Sequence, residues 1–178
     1  LGHNRLSIVD LLGSSQPITG NNGTVLIANG EIYNHLKLRS TLNYNWKTSG
    51  DSEVILGLHD NYIKKGGGND HTQWVKMLHG MFSFALWDTN REELILARDT
   101  NGTKPLYYGY LKDKLYFSSE IKSLLECGFE RRVCKRALSL YYNQGYNPGY
   151  LTMFDGIKKL VPGQVLVNGH SHNLLDYN

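Results

Sequence analysis

The sequence predicts an α+β fold, with strands and helices in separate stretches and the strands paired antiparallel. The first observation behind this is a block from Met81 to Ser118, where β-rich runs are joined by connections too short for a crossover helix. The second is helical periodicity confined to either side of that block, at 35–42 and 54–62 before it and at 120–126 and 135–142 after it. The third is composition. A chain of 178 residues with 40% hydrophobic and 20% charged side chains can bury a core without disulfide or metal staples.

In chain order, a polar loop from Ser14 to Gly23 precedes Thr24-Val-Leu-Ile-Ala28, a buried strand that the sequence ends in a tight turn at Asn29-Gly30. Asn34 is placed to cap a helix from His35 to Leu42. A second helix follows Gly50-Asp51, with Val54, Ile55, Leu58 and Tyr62 at helical spacing and Glu53 in its first turn. It stops at Gly66-Gly67-Gly68, which reads as an exposed linker because no Lys-Ser or Lys-Thr follows to complete a phosphate loop. A short helix around Trp74 to Leu78 leads into Met81 to Trp87, apolar in both alternating sets as in a strand covered on both faces. Strands at 93–97, 106–110 and 114–118 continue it as a meander, turning at Asp88-Thr89-Asn90 and Lys112-Asp113. A last strand, Gln164 to Val167, follows Pro162-Gly163, and the polar tail beyond Asn168 is expected to fray.

Charge and cysteine content narrow the function classes. Nineteen basic against sixteen acidic residues give a net charge of +3, and the densest basic stretch, Arg131, Arg132, Lys135 and Arg136, is too short to imply a nucleic-acid partner. Cys127 and Cys134 offer neither a disulfide framework nor a zinc set, and a free cysteine beside these late helices reads as a small core residue. No apolar run reaches the ~20 residues of a membrane span, no signal pattern opens the chain, and a reducing, cytoplasmic setting is expected. His170-Ser171-His172 is set aside as a metal pair because it lies in the polar tail, so no metal ligand is assigned.

Three polar clusters stand at the edges of apolar elements. Arg5, beside Leu6-Ser7-Ile8-Val9, can fork onto a planar carboxylate. Asn29-Gly30-Glu31 combines an amide donor, an uncrowded backbone N–H and a carboxylate, donors of the kind that hold a developing oxyanion. Asp51, in Gly50-Asp51-Ser52-Glu53, sets a carboxylate at a helix start. Each has a purely structural alternative: a surface ion pair, a strand-ending turn and a helix cap. Together they supply what a free α-amino acid with a side-chain amide requires, and glutamine fits.

The segments Leu1-Gly-His-Asn-Arg-Leu-Ser-Ile-Val-Asp10, Asn29-Gly-Glu-Ile-Tyr-Asn34, Asp51-Ser-Glu-Val-Ile-Leu56, Gly80-Met-Phe-Ser-Phe-Ala-Leu-Trp-Asp88, Ala97-Arg-Asp-Thr-Asn-Gly-Thr-Lys-Pro-Leu-Tyr-Tyr108 and Ser118-Ser-Glu-Ile-Lys122 resemble, in this order, the glutaminase domain of glutamine-hydrolysing asparagine synthetases. Pro148 to Leu160 and Pro162-Gly163 resemble the segment leading to that family's synthetase domain, so the resemblance implies an N-terminally incomplete glutamine amidotransferase domain over residues 1–160, with 161–178 beginning the connection to a synthetase domain. Leu6 after Arg5 is similar to asparagine synthetase, whereas relatives that make glucosamine phosphate or phosphoribosylamine usually carry Trp or Tyr there.

The resemblance implies the four-layer αββα sandwich of N-terminal-nucleophile hydrolases, lacking its first strand in this chain. It implies that Arg5 holds the glutamine α-carboxylate, that Leu6, Ser7, Ile8 and Val9 line the pocket, that Asn29 and Gly30 form the oxyanion hole, and that Glu31 and Asp51 receive the α-ammonium. The family's nucleophile is an N-terminal cysteine whose own amine can act as base. No cysteine of this chain matches it, so the chain alone is expected to be inactive. ATP and magnesium belong by resemblance to the absent synthetase domain, with no cofactor in this chain, and the expected partners are glutamine and that domain, a homodimer remaining open. Two other readings stay open: a non-catalytic glutamine-binding module, and an interaction subunit.

Overall fold

The computed structural model describes residues 1–2 and 15–174. In chain order the elements are β1 (Ile18–Thr19), β2 (Thr24–Ile32), α1 (His35–Thr41), α2 (Val54–Lys64), α3 (Thr72–Val75), β3 (Gly80–Asp88), β4 (Glu93–Arg98), β5 (Tyr107–Leu111), β6 (Lys114–Ser118), α4 (Ile121–Glu126), α5 (Lys135–Gln144), β7 (Ile157–Lys159), β8 (Gln164–Val167) and β9 (His170–Asn173). The chain divides into two compact units, residues 1–104 with 163–178, and residues 105–162.

The first unit is built on a six-stranded sheet in the order β1-β2-β3-β4-β8-β9, every neighbouring pair antiparallel. Period-two alternation sends Leu26, Ala28, Phe84, Leu86, Ile95, Ala97, Val165 and Val167 to one face, where they form a core with Leu38 of α1, Val54, Ile55 and Leu58 of α2, and Trp74 and Val75 of α3. Ala85, Leu96 and Leu166 alternate with these residues and are buried too, as a central strand covered on both faces requires.

The second unit carries a three-stranded antiparallel sheet, β6-β5-β7. Lys112 and Asp113 both have positive φ, the two-residue hairpin turn expected between β5 and β6. Leu124 of α4 packs with Phe129 and Ile157, and the Tyr116 ring meets Phe129 edge-on at 5.8 Å.

The antiparallel α+β character agrees with the sequence, and several elements depart from it. The four-strand meander is split: β3 and β4 belong to one sheet, β5 and β6 to the other. Asp99 is the physical reason. Its carboxylate accepts the backbone N–H groups of Asn101, Thr103 and Lys104 at 3.0–3.3 Å, winding 99–104 into a compact loop instead of a hairpin, while β8 takes the outer edge of β4. Over the described residues to Leu174 the tail is ordered by strand pairing. Asn168 and Gly169, both at positive φ, turn the chain back so that β9 pairs with β8, and His170 and His172 are strand residues. Asn34 makes no capping hydrogen bond to α1; its side chain donates to Met77 O at 2.9 Å and accepts from His79 N at 3.0 Å. Cys127 is exposed and Cys134 half-buried, so neither is a core residue.

Candidate functional site

Asn29-Gly30 is not a strand-ending turn, because β2 continues to Ile32 and pairs along its whole length with β3, Asn29 opposite Ser83 and Gly30 opposite Phe82. Gly30 is needed there for a close approach. At φ +139° a Cβ would lie 2.0 Å from Met81 O, and at Gly80, with φ +154°, it would lie 2.1 Å from Glu31 O.

The direction of each backbone group in β2 follows from its neighbours. Phe82 turns both its backbone groups toward Asp99, its N–H donating to Asp99 Oδ2 at 3.2 Å and its carbonyl accepting Asp99 N at 2.9 Å. The facing Gly30 therefore points its N–H and C=O away from β3, to the outer edge. The same parity holds on either side. Gln16 bonds both groups of Ala28, accepting its N–H at 2.6 Å and donating to its carbonyl at 2.8 Å, and Ile32 N donates to Asp51 Oδ2 at 2.7 Å. Along this edge the exposed Gly30 N–H thus lies between an amide taken by Gln16 and one taken by Asp51. Two residues of strand separate the Gly30 and Ile32 amides by about 7 Å.

Asn29, Ser83 and Arg98 form a row across β2, β3 and β4, and Glu31 lies on the same face of β2 as Asn29. No hydrogen bond joins the Asn29 side chain to another described residue, whereas the Arg98 guanidinium donates to the carbonyls of Lys104 and Gly102 and braces the 99–104 loop. Asp51 is buried beside Ile32. The structure thus brings Asn29, Gly30, Glu31 and Asp51 to one end of β2. Arg5, Leu6, Ser7, Ile8 and Val9 lie outside the described residues.

Sequence patterns missed the side chains that hold this region. Gln16 bonds Ala28 twelve residues on and Asp99 bonds Phe82 seventeen residues back, while Glu53 and Asp99 also gather the amides of loops two to six residues away, and hydrophobic periodicity signals neither. Glu53, expected in the first turn of α2, stands just before it and turns its carboxylate to the preceding loop.

A second buried polar group stands near the opposite end of β3. Trp74 donates its indole N–H to His71 Nδ1 at 3.0 Å, which places the His71 proton on Nε2, 3.2 Å from Glu93 Oε2. Arg91 Nε also donates to Glu93, at 2.7 Å. His59 stacks on His71 and lies 3.5 Å from Asp88. Burial pushes His59 down to about 4, partly opposed by Asp88, and also lowers His71 against the pull of Glu93. Among the described residues no three of His, Cys, Asp or Glu group as metal ligands, and no helix is long and apolar enough to cross a membrane.

The outer edge of β2 thus sets a glycine amide beside an anchored carboxylate in an antiparallel α+β frame. Residues 1–177 match the glutamine amidotransferase domain family, and the chain belongs to that family. It is 37% identical over 166 residues to asparagine synthetase [glutamine-hydrolyzing] 1 of Bacillus subtilis, covering 91% of this chain and 25% of that protein. It is also 37% identical over 171 residues to amidase chry2 of Gibberella zeae, covering 94% and 24%. The chain spans about a quarter of the length of these curated relatives. Among solved structures, glutamine phosphoribosylpyrophosphate amidotransferase from B. subtilis superposes with a TM-score of 0.60 at 24% identity over 90% of this chain and 32% of its own. That likeness is one of fold, the N-terminal-nucleophile hydrolase type expected from the sequence.

Proposed function

We propose that this chain is the glutamine-binding, glutaminase part of a glutamine-hydrolysing asparagine synthetase. The observation that carries this reading is the edge of β2, where an exposed Gly30 N–H lies about 7 Å from the amide that anchors Asp51. That spacing suits glutamine, with the carboxamide oxygen at Gly30 and Asn29 and the α-ammonium at Asp51 and Glu31. Arg5 would hold the α-carboxylate, with Leu6 to Val9 along the pocket wall. A thiolate adding to the carboxamide carbon would drive charge onto the oxygen, where the Asn29 amide and Gly30 N–H stabilise it more than they stabilise the neutral ground state. Ammonia leaves and water releases glutamate from the thioester. The ammonia would pass to an ATP-activated aspartate in a synthetase domain, the place of ATP and magnesium, in the cytoplasm.

Residues 1–178 alone are proposed not to turn glutamine over. Cys127 and Cys134 stand at the C-cap of α4 and the N-cap of α5, in the second unit, and neither replaces an N-terminal nucleophile. A non-catalytic glutamine-binding module is the second reading; an interaction subunit would bind no glutamine.

Calorimetry and an ammonia assay test both. The chain is expected to bind glutamine and release no ammonia. With a cysteine-first N-terminal segment added, it should become a glutaminase in which Asn29→Ala lowers kcat by about 10²–10³ while KM stays within a few-fold. Ammonia release abolished by mutating Cys127 or Cys134, or normal turnover in Asn29→Ala, would overturn the proposal.

A further inference from the structure

We infer that Glu53 is a positioning residue for the ammonium end of the site, acting through Asp51; this rests on the glutamine reading above. Glu53 has no exposed surface, and a carboxylate so buried persists only where hydrogen bonds replace its water. Its Oε1 accepts Lys47 N at 2.8 Å, and Oε2 accepts Thr48 N at 2.8 Å and the Thr48 hydroxyl at 2.9 Å. Arg39 reaches Oε2 at 3.4 Å and donates to the carbonyls of Thr48 and Gly50 at 2.8 and 2.7 Å. The Thr48 hydroxyl in turn accepts Gly50 N at 3.2 Å.

Residues 47–50 are therefore wound around one carboxylate. Glu53 occupies the N-cap position of α2, yet its side chain makes no capping bond to that helix. The group that could serve its own helix serves the preceding loop instead. Asp51 sits between the two fixed points, Gly50 and Glu53, and Ile32 N holds its Oδ2 against β2. Where the other Asp51 oxygen stands relative to the Gly30 amide is thus set by Glu53, and binding geometry of this kind is sensitive to a supporting shell.

The test is titration calorimetry on the full chain with two ligands, L-glutamine and glutaramate, which keeps the carboxamide and carboxylate and lacks the α-amine. The readout is the ratio of their Kd values. Glu53→Gln is expected to weaken glutamine about ten-fold and leave glutaramate within about two-fold. Thr48→Val, a milder change should Glu53→Gln unfold the chain, is expected to weaken glutamine about three-fold with the same selectivity. Asp51→Asn should match Glu53→Gln, and the double variant should lose little more than either. Equal weakening of both ligands by Glu53→Gln and Thr48→Val, or no weakening while Asp51→Asn stays selective, overturns the inference and leaves the glutamine reading standing. A wild-type chain that binds no glutamine, or an unselective Asp51→Asn, overturns that reading and the inference with it.

Discussion

Replacing Gly30 with alanine should be among the most damaging single-methyl changes in this chain. The new Cβ would stand 2.0 Å from Met81 O, 2.7 Å from Phe82 Cα and 2.9 Å from Met81 C, all backbone atoms that no rotamer change can move. Restoring ordinary contact requires β2 and β3 to separate locally by about 1 Å, enough to break the ladder bonds that flank the Gly30–Phe82 pair. Two such bonds are worth about 1 kcal/mol each. The backbone at φ +139° adds strain of about 1–3 kcal/mol for a residue with a side chain. The expected loss is therefore about 3–5 kcal/mol, a large share of the ~5–15 kcal/mol that a domain possesses. Urea unfolding followed by circular dichroism reads it, with Gly68→Ala as the control, since a Cβ at Gly68 meets nothing within 4 Å. A Gly30→Ala midpoint equal to that of Gly68→Ala would refute the close approach of the two strands, and with it the direction assigned to the Gly30 amide.

Two further outcomes are expected. His59, held near 4 by burial, stays neutral in the folded chain while the unfolded chain protonates near 6.5, so its contribution is whole above pH 6.5 and is lost as pH falls from 6.5 toward 4. The loss is about 3 kcal/mol, and unfolding free energies measured across that window should fall less steeply in His59→Gln; an unchanged slope would remove His59 as its source. Asp99→Ala should cost about 2–4 kcal/mol by leaving Phe82, Asn101, Thr103 and Lys104 amides without their acceptor. Hydrogen exchange at those amides should quicken, and unchanged protection would show that Asp99 does not hold the loop.

The sequence announces elements that depend on their own residues. Met81 to Trp87 is apolar on both faces and became the centre of a sheet, and Lys112-Asp113 lies where the β5–β6 hairpin turns. Strand β9 was hidden because His170-Ser171-His172 looks solvated, although Asn168-Gly169 ahead of it is a strong two-residue hairpin signal. The split meander was hidden for another reason: short connections show that strands are neighbours in sequence but do not say where a side chain such as Asp99 diverts the path. For the site, Asn29, Gly30 and Asp51 were singled out by residue type, and their placement on one edge was not. That placement rests on Gln16 and Asp99, which reach Ala28 and Phe82 across twelve and seventeen residues, and on Glu53, which gathers an irregular loop five and six residues back that carries no hydrophobic period.

An open strand edge ordinarily invites another polypeptide to pair with it, and most proteins block such edges with charge, proline or a covering segment. Past its short pairing with β1, the outer edge of β2 is blocked amide by amide, by Gln16 at Ala28 and by Asp51 at Ile32, so that among the described residues only the position between them is left without a capping side chain. A foreign strand needs successive vacant rungs to start a ladder, whereas a single carbonyl oxygen needs one. Under the proposed glutamine reading, the edge of β2 would in that sense be a filter on valence, admitting a lone small-molecule acceptor while refusing the repeating acceptors of a peptide backbone.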